Sequence, residues 1–279
     1  MIQWMGVINL TPDSFYEPSR VDSANTAAIM ERIRSMIDAG ASIIDLGAVS
    51  TRPGADLIPV EEEWARLEPV LSSLANSYAL CGRASAPPVR ISVDTMSSEI
   101  VRRVHDTIGP FIVNDISAGE DDSQMLPTVG RLGLTYIAMH KRGNPNTMDQ
   151  LTDYPAGVVR ELADYFRVFA RSAESCGIQD WILDPGVGFA KTEAQDWEIL
   201  QRLDVLADLG RPVLVGAAEK RFTKNPPARI IAWFGSKGAQ RAREDCRVRD
   251  WSCPSGTEIA NTLAVAHGAT ILRVHEIPK

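Results

Sequence analysis

Three polar side chains close apolar runs in this chain. Asp94 follows Ile91-Ser92-Val93, Asn114 follows Ile112-Val113, and Asp184 follows Trp181-Ile182-Leu183. An unpaired carboxylate at such a place is costly, so each acid is either a salt-bridged structural group or part of a site. Three of them converging on one mouth suit a nitrogen-rich heterocycle. Carboxylates accept hydrogen bonds from its amino and ring N–H groups, and an amide both donates and accepts. Two further runs end in candidate chemistry. Asn9-Leu10-Thr11-Pro12-Asp13-Ser14-Phe15 follows Val7-Ile8, and taken singly it is also an ordinary capped turn. Ser50-Thr51-Arg52-Pro53-Gly54 follows Ile43 to Gly47, where Arg52 could offer a rigid fork to phosphate or simply mark a surface turn.

The elements that would position these groups alternate. Eight short apolar runs read as buried parallel strands, the remaining ones at Tyr136–His140, Val213–Gly216 and Ile271–His275. Between them lie helical stripes. Ile29, Ile33, Met36 and Ile37 share a face that stops at Gly40, and Trp64, Leu67, Leu71 and Leu74 follow the acidic start Glu61-Glu62-Glu63. Val158, Leu162, Tyr165, Phe166 and Phe169 mark a longer helix, and Trp197, Leu200 and Leu203 another. These stripes are core. Strands alternating with helices mean βαβ units and a parallel sheet. With no GxGxxG after the first strand, a closed (β/α)8 TIM barrel is expected, with its site at the strands' C-terminal ends.

Composition narrows the function classes. The 279 residues suit one domain, 1–279, and the apolar share of 44% excludes a disordered chain. A net charge of −7, from 29 basic and 36 acidic residues, argues against a broad nucleic-acid surface. Cys81, Cys176, Cys246 and Cys253 show no paired metal spacing and are read as reduced thiols. No leader and no membrane span is evident, so a cytoplasmic protein is expected.

The order of the motifs resembles dihydropteroate synthase, a pterin-binding TIM-barrel family, from about Met5 to His275. The matching blocks are Met5 to Phe15, Gly47 to Gly54, Ser92-Val93-Asp94-Thr95 and Asn114-Asp115-Ile116-Ser117. They continue with Met139-His140-Lys141-Arg142-Gly143 plus Pro145 and Met148, then Leu183 to Thr192, and Arg273-Val274-His275. Each is weak alone; seven in order, each on a predicted strand end, are specific. The resemblance implies condensation of 6-hydroxymethyl-7,8-dihydropterin diphosphate with 4-aminobenzoate, in a homodimer that is a sulfonamide target. Carried onto matching positions, Asp94, Asn114, Asp184 and Lys220 would grip the pterin and Met139 would pack on its ring. Asn9 would help bind Mg²⁺; Arg52, Arg273 and His275 would hold phosphate oxygens, beside Thr51. Phe189 would line the aminobenzoate channel. Lys220, Arg273 and Asp94 are the groups expected to carry the catalytic step. The electron-rich pterin can stabilise a cationic exocyclic methylene, so no activated nucleophile is required, and no Ser-His-Asp or Cys-His pattern stands out.

Four departures from the family pattern are specific to this chain. After the seventh strand, Ser-Arg-Lys-Ser is replaced by Ala218-Glu219-Lys220-Arg221. Arg221 could take over the aminobenzoate carboxylate, while Glu219 would repel it unless turned away or paired. Gly47-Ala48-Val49-Ser50 replaces Gly-Gly-Glu-Ser, and Pro18 stiffens the first loop. A long connection around 221–256 carries Lys237, Arg241, Arg243, Arg247 and Arg249, and is read as a solvated or mobile insertion before a partner surface. The family's final helix is missing after strand eight. Either the sequence is trimmed there, or the basic connection does that helix's job. Two other functions would use the same pocket, a pterin-binding paralogue without synthase activity and a pterin-dependent methyltransferase.

Overall fold

A computed structural model describes residues 2–11, 26–49, 58–76, 89–144 and 147–278. Strands and helices alternate as β1 (Gln3–Asn9), α1 (Thr26–Asp38), β2 (Ile43–Gly47), α2 (Val60–Ala75), β3 (Arg90–Asp94), α3 (Ser98–Ile108), β4 (Ile112–Asp115) and α4 (Met125–Leu132). The second half runs β5 (Thr135–Met139), α5 (Val158–Ser175), β6 (Trp181–Asp184), α6 (Glu193–Gln201), α7 (Asp204–Ala207), β7 (Leu214–Val215), α8 (Ala228–Phe234), α9 (Gln240–Asp245), α10 (Gly256–Ala266) and β8 (Ile271–Val274). The strands are parallel in the order β6-β5-β4-β3-β2-β1-β8-β7. A bridge between Leu183 and Val213 brings β6 against β7 and closes the barrel.

Side chains alternate along each strand, and the two faces have different fates. Seven strands contribute Met5, Ile43, Ile112, Ile137, Ile182, Leu214 and Ile271 to one small buried cluster, the plug on the barrel axis. The opposite faces join the helices in a much larger core, where Ile29, Ile33, Leu67, Leu71, Leu162, Phe166, Trp197 and Leu200 are all buried. The helical stripes therefore pack as their spacing predicts. Period two also sets what lies above the plug. Two residues on from Ile43 is Asp45, from Ile112 Asn114, from Ile137 Met139, from Ile182 Asp184, and from Ile271 Arg273. These positions, polar except Met139, form the next layer toward the C-terminal rim.

The connection between β7 and α10 is folded. A 3-10 turn (Arg221–Lys224), α8 and α9 bury Phe222, Ile230, Phe234, Ala242 and Cys246, and pack against α10. Two of its basic residues hold structure. Arg243 is buried, donating to the carbonyls of Phe234 and Ser236. Arg247 donates to Ala39 O and Pro278 O, each at 2.8 Å, and covers the Trp4 ring. Lys237, Arg241 and Arg249 face solvent, as expected of the whole segment. Among the described residues no helix follows β8; residues 275–278 run beside α1, where Arg32 donates to His275 O at 2.9 Å. No helix among the described residues is long and apolar enough to cross a membrane. Cys176, Cys246 and Cys253 are free thiols, and Cys81 lies outside the described residues.

Candidate active site

The rim of the barrel gathers most of the singled-out side chains. Asp94 ends β3 and stands in register with Asn114, the penultimate residue of the adjacent β4. Met139 and Asp184 are likewise paired across β5 and β6. Asn9 ends β1 opposite Gly47; a Cβ on that glycine would lie 3.7 Å from both the Asn9 Oδ1 and the Asp94 Cβ. The Asn9 carboxamide and Asp94 carboxylate thus flank one small gap in the mouth. Thr51 and Arg52 lie outside the described residues, as do Pro18 and Ser50.

A group that the motifs alone did not single out links one of these residues, Asn114, to Arg273. Asp45, wholly buried in β2, accepts from Arg273 Nε at 2.8 Å and from Asn114 Nδ2 at 3.1 Å, both on Oδ2. Arg273 Nη2 also reaches Asp94 Oδ2 at 3.1 Å. Because Asp45 can only accept, the Asn114 amide nitrogen faces it, and the amide oxygen is left to face elsewhere. The sequence signal was present: an acid inside the apolar run Ile43 to Gly47, where only a paired charge is tolerable. Burial pushes the Asp94 carboxyl up to about 7, against the lowering effect of Arg273.

Across the mouth, Asp184 and Lys220 are opposite charges that act on each other through the site. Burial raises the Asp184 carboxyl and Lys220 lowers it, while burial pulls the Lys220 ammonium down to about 8 and Asp184 holds it up. Asp184 Oδ1 accepts the Gly186 N–H at 2.7 Å, fixing the start of the loop after β6. Gly186 is required there: at φ 63° its Cβ would lie 2.1 Å from His140 O. Lys220 donates to Val187 O and sits 4.6 Å from the Phe189 ring centroid, so Phe189 and Lys220 make one wall. His275 stands just beyond β8, and burial followed by Arg273 lowers its ring to about 4, leaving a neutral imidazole at pH 7. Met139 is buried, against Gly186.

The altered loop after β7 departs from the mouth. Glu219 is exposed in a left-handed conformation, φ 57°, its N–H donating to Thr257 Oγ1 at 3.2 Å. Arg221 is also exposed, its Nε 3.7 Å from Glu193 Oε1 at the start of α6. Neither is gathered with the strand-end groups. An L-residue in that conformation costs about 1–2 kcal/mol, which glycine avoids. Glu219→Gly should therefore raise unfolding stability by about 1 kcal/mol in urea titration; a loss instead would mean that the Glu219 side chain holds the loop.

The arrangement offers acceptors on a buried floor, two cations beside it, and an aromatic wall. A planar ligand with an edge of N–H groups fits the floor, and an anionic group fits the cations. Comparisons with known proteins agree. A family profile described as pterin binding enzyme matches residues 5–275. The folic acid synthesis protein fol1 of Pneumocystis carinii is 37% identical over 279 residues, covering 98% of this chain and 34% of that protein. The dihydropteroate synthase of Synechocystis sp. is 34% identical over 275 residues, covering 98% of this chain and 84% of its own length. The chain thus spans about a third of the first relative and most of the second. Among solved structures, the Xanthomonas albilineans dihydropteroate synthase with 4-aminobenzoic acid superposes with a TM-score of 0.76 at 29% identity, covering 99% of this chain and 88% of that one. The Thermus thermophilus enzyme in complex with 4-aminobenzoate gives 0.73 at 34%, covering 99% and 90%.

Proposed function

The chain belongs to the pterin binding enzyme family, and from that premise we propose that it is a dihydropteroate synthase, a transferase of folate synthesis. It joins 6-hydroxymethyl-7,8-dihydropterin diphosphate to 4-aminobenzoate, releasing diphosphate. The observation that carries this reading is the acceptor floor of Asp94, Asn114 and Asp184, flanked by Arg273 and Lys220 at the C-terminal mouth of the barrel.

In this reading the pterin lies with its amino and ring N–H edge on Asp94, Asn114 and Asp184, and its ring against Met139. Lys220 bonds the pterin from the opposite wall. The bond between the exocyclic methylene carbon and the diphosphate oxygen breaks with its electron pair on oxygen. The pterin ring stabilises the resulting cation. The aminobenzoate nitrogen then forms the new C–N bond and gives up one proton. The chain's tasks are orientation and stabilisation of the leaving charge. Arg273 and neutral His275 donate to phosphate oxygens, and Arg52 and Thr51 join them by resemblance.

Mg²⁺ belongs to the proposal too. Among the described residues no group of three or more His, Cys, Asp or Glu could hold a metal. Magnesium ordinarily takes one or two protein oxygens and completes its shell with phosphates and water, which suits the Asn9 carboxamide at the mouth. When bound there it would neutralise charge on the departing diphosphate. We also place the protein in the cytoplasm, as a homodimer, with band position in size-exclusion chromatography as the check on the latter.

Arg221 gives this chain its own way to hold the second substrate. Its exposed pair with Glu193 is of a kind worth little, so the guanidinium is available to the aminobenzoate carboxylate. Arg221→Ala should raise the KM for aminobenzoate about tenfold with little change for the pterin substrate, as expected for one lost charged hydrogen bond. An unchanged KM would remove Arg221 from the site. The test of the whole reading is diphosphate release with the pterin diphosphate and Mg²⁺, with and without 4-aminobenzoate. Turnover requiring both supports it; tight pterin binding without turnover sinks it in favour of a binding protein.

A further inference from the structure

Lys191 is a buried ammonium that the reaction above leaves unused. It follows Phe189-Ala190 in the loop between β6 and α6 and is only 3% exposed. Burying an ammonium is costly unless acceptors surround it, and an ammonium has three N–H donors to place. Lys191 Nζ lies 2.9 Å from Phe189 O, 3.0 Å from Gly186 O and 3.1 Å from His140 Nδ1. His140 O is a longer fourth neighbour at 3.5 Å. Burial holds the His140 ring down at about 2, so it is neutral, and the nitrogen facing an ammonium must be its acceptor. Burial pulls Lys191 itself down to about 7, while Asp196 and Asp184 favour its charged form.

The loop that this ammonium clasps is an unusual one. It passes through left-handed conformations at Gly186, Gly188 and Ala190, and the last has no glycine to relieve it. Such a path persists only where surrounding contacts over-determine it. Other ties are present: Asp184 to Gly186 N–H at 2.7 Å, Asp196 to Gly188 N–H at 2.7 Å, Tyr154 O–H to Ala190 O at 3.0 Å, Lys220 to Val187 O, and the loop's own bond from Phe189 N–H to Gly186 O at 3.1 Å. Among these side-chain ties, the Lys191 ammonium is the one bonded to the backbone of Phe189. It also joins that carbonyl to the end of β5, through His140.

We propose that Lys191 is a positioning residue for the second substrate: its ammonium, clasped to Phe189, Gly186 and His140, sets the Phe189 ring that walls the aminobenzoate side of the mouth. This rests on the synthase reading. Three of the pterin grips, Asp94, Asn114 and Asp184, stand on strands outside the loop that the clasp holds. Removing it should therefore separate the two substrates.

The experiment is a double-mutant cycle of Lys191→Met with Phe189→Ala, read by steady-state kinetics and by equilibrium binding of the pterin diphosphate. Lys191→Met should raise the KM for aminobenzoate about tenfold, with the pterin dissociation constant within about twofold of wild type. In the Phe189→Ala background it should add nothing further, because the ring through which it acts is gone. An unchanged KM, an equal loss of pterin affinity, or additive effects in the double variant would each overturn the assignment. If circular dichroism shows Lys191→Met unfolded, Lys191→Gln and His140→Gln enter the same cycle with the same deciding outcomes. Absence of turnover in wild type would sink the synthase reading itself; turnover in wild type with an additive cycle sinks the clasp alone.

Discussion

Arg273→Met should destabilise the fold by about 3 kcal/mol at pH 8, by less at pH 5, and lower kcat/KM by about 10³-fold. The guanidinium is the direct partner of two carboxylates, Asp45 and Asp94, the first of them wholly buried. Removing one member of a buried pair strands the other charges, and that cost exceeds the net worth of the pair. The pH dependence follows from Asp94. Its carboxyl titrates at about 7 in the fold, above its ordinary value of 3.8. The folded state therefore holds the Asp94 proton more tightly than the unfolded chain. That contribution is fully present below about pH 4 and is lost as pH rises through about 7. Arg273 opposes the rise, so without it Asp94 must shift further upward and ionised Asp94 costs more. The deficit is then largest when Asp94 is charged and shrinks as it takes a proton. Urea titrations of both proteins at pH 5 and pH 8 measure it directly. A deficit of equal size at both would mean that lost packing, and not stranded charge, causes it.

How far the sequence carried depended on whether a residue's role was local or set by distant partners. The strands were legible because a buried parallel strand is apolar along its length, and the helices because their stripes at Ile29–Met36, Trp64–Leu74 and Val158–Phe169 repeat at helical spacing. Barrel closure follows from eight such units, though β7 is only two residues long and β6 meets it through a single bridge. Asp94, Asn114 and Asp184 were legible because each closes an apolar run. Asp45 was visible as an acid in an apolar run, yet nothing in its neighbours says that its partners are Arg273, 228 residues on, and Asn114, 69 residues on. Lys191 was hidden more deeply. A lysine in a glycine-rich loop reads as exposed, and only the tertiary arrangement of the carbonyls around it makes burial tolerable.

The basic connection shows the same limit. Lys237, Arg241, Arg243, Arg247 and Arg249 in the connection around 221–256 read as a solvated stretch, and Lys237, Arg241 and Arg249 do face solvent. Arg243 and Arg247 instead donate to carbonyl groups that the fold brings near them. Arginine suits this use, since its planar fork carries several donors and stays weakly hydrated. Charge density alone does not distinguish the two uses; the carbonyl partners do.

Asp184→Asn tests the opposite wall of the mouth, and its effect should fall on chemistry far more than on stability. The amide oxygen of asparagine can still accept the Gly186 N–H that Asp184 Oδ1 accepts at 2.7 Å, so the loop after β6 should keep its start. The other oxygen becomes an NH₂ group. A donor then faces the donor edge of the pterin, where an acceptor stood, and the charge that favoured the Lys220 ammonium is gone. Leaving buried donors unpaired costs about 3 kcal/mol, so kcat/KM for the pterin diphosphate should fall about 10²- to 10³-fold, with stability changed by less than about 1 kcal/mol. The pH profile carries a second, independent signature. Lys220 titrates at about 8, held down by burial and up chiefly by Asp184. Without the Asp184 charge its pKa must fall. If the protonated ammonium is the form that bonds the pterin, the alkaline limb of the residual activity moves below pH 8. A limb that stays in place would show that Lys220 and Asp184 are not coupled in the working site, however large the loss of rate.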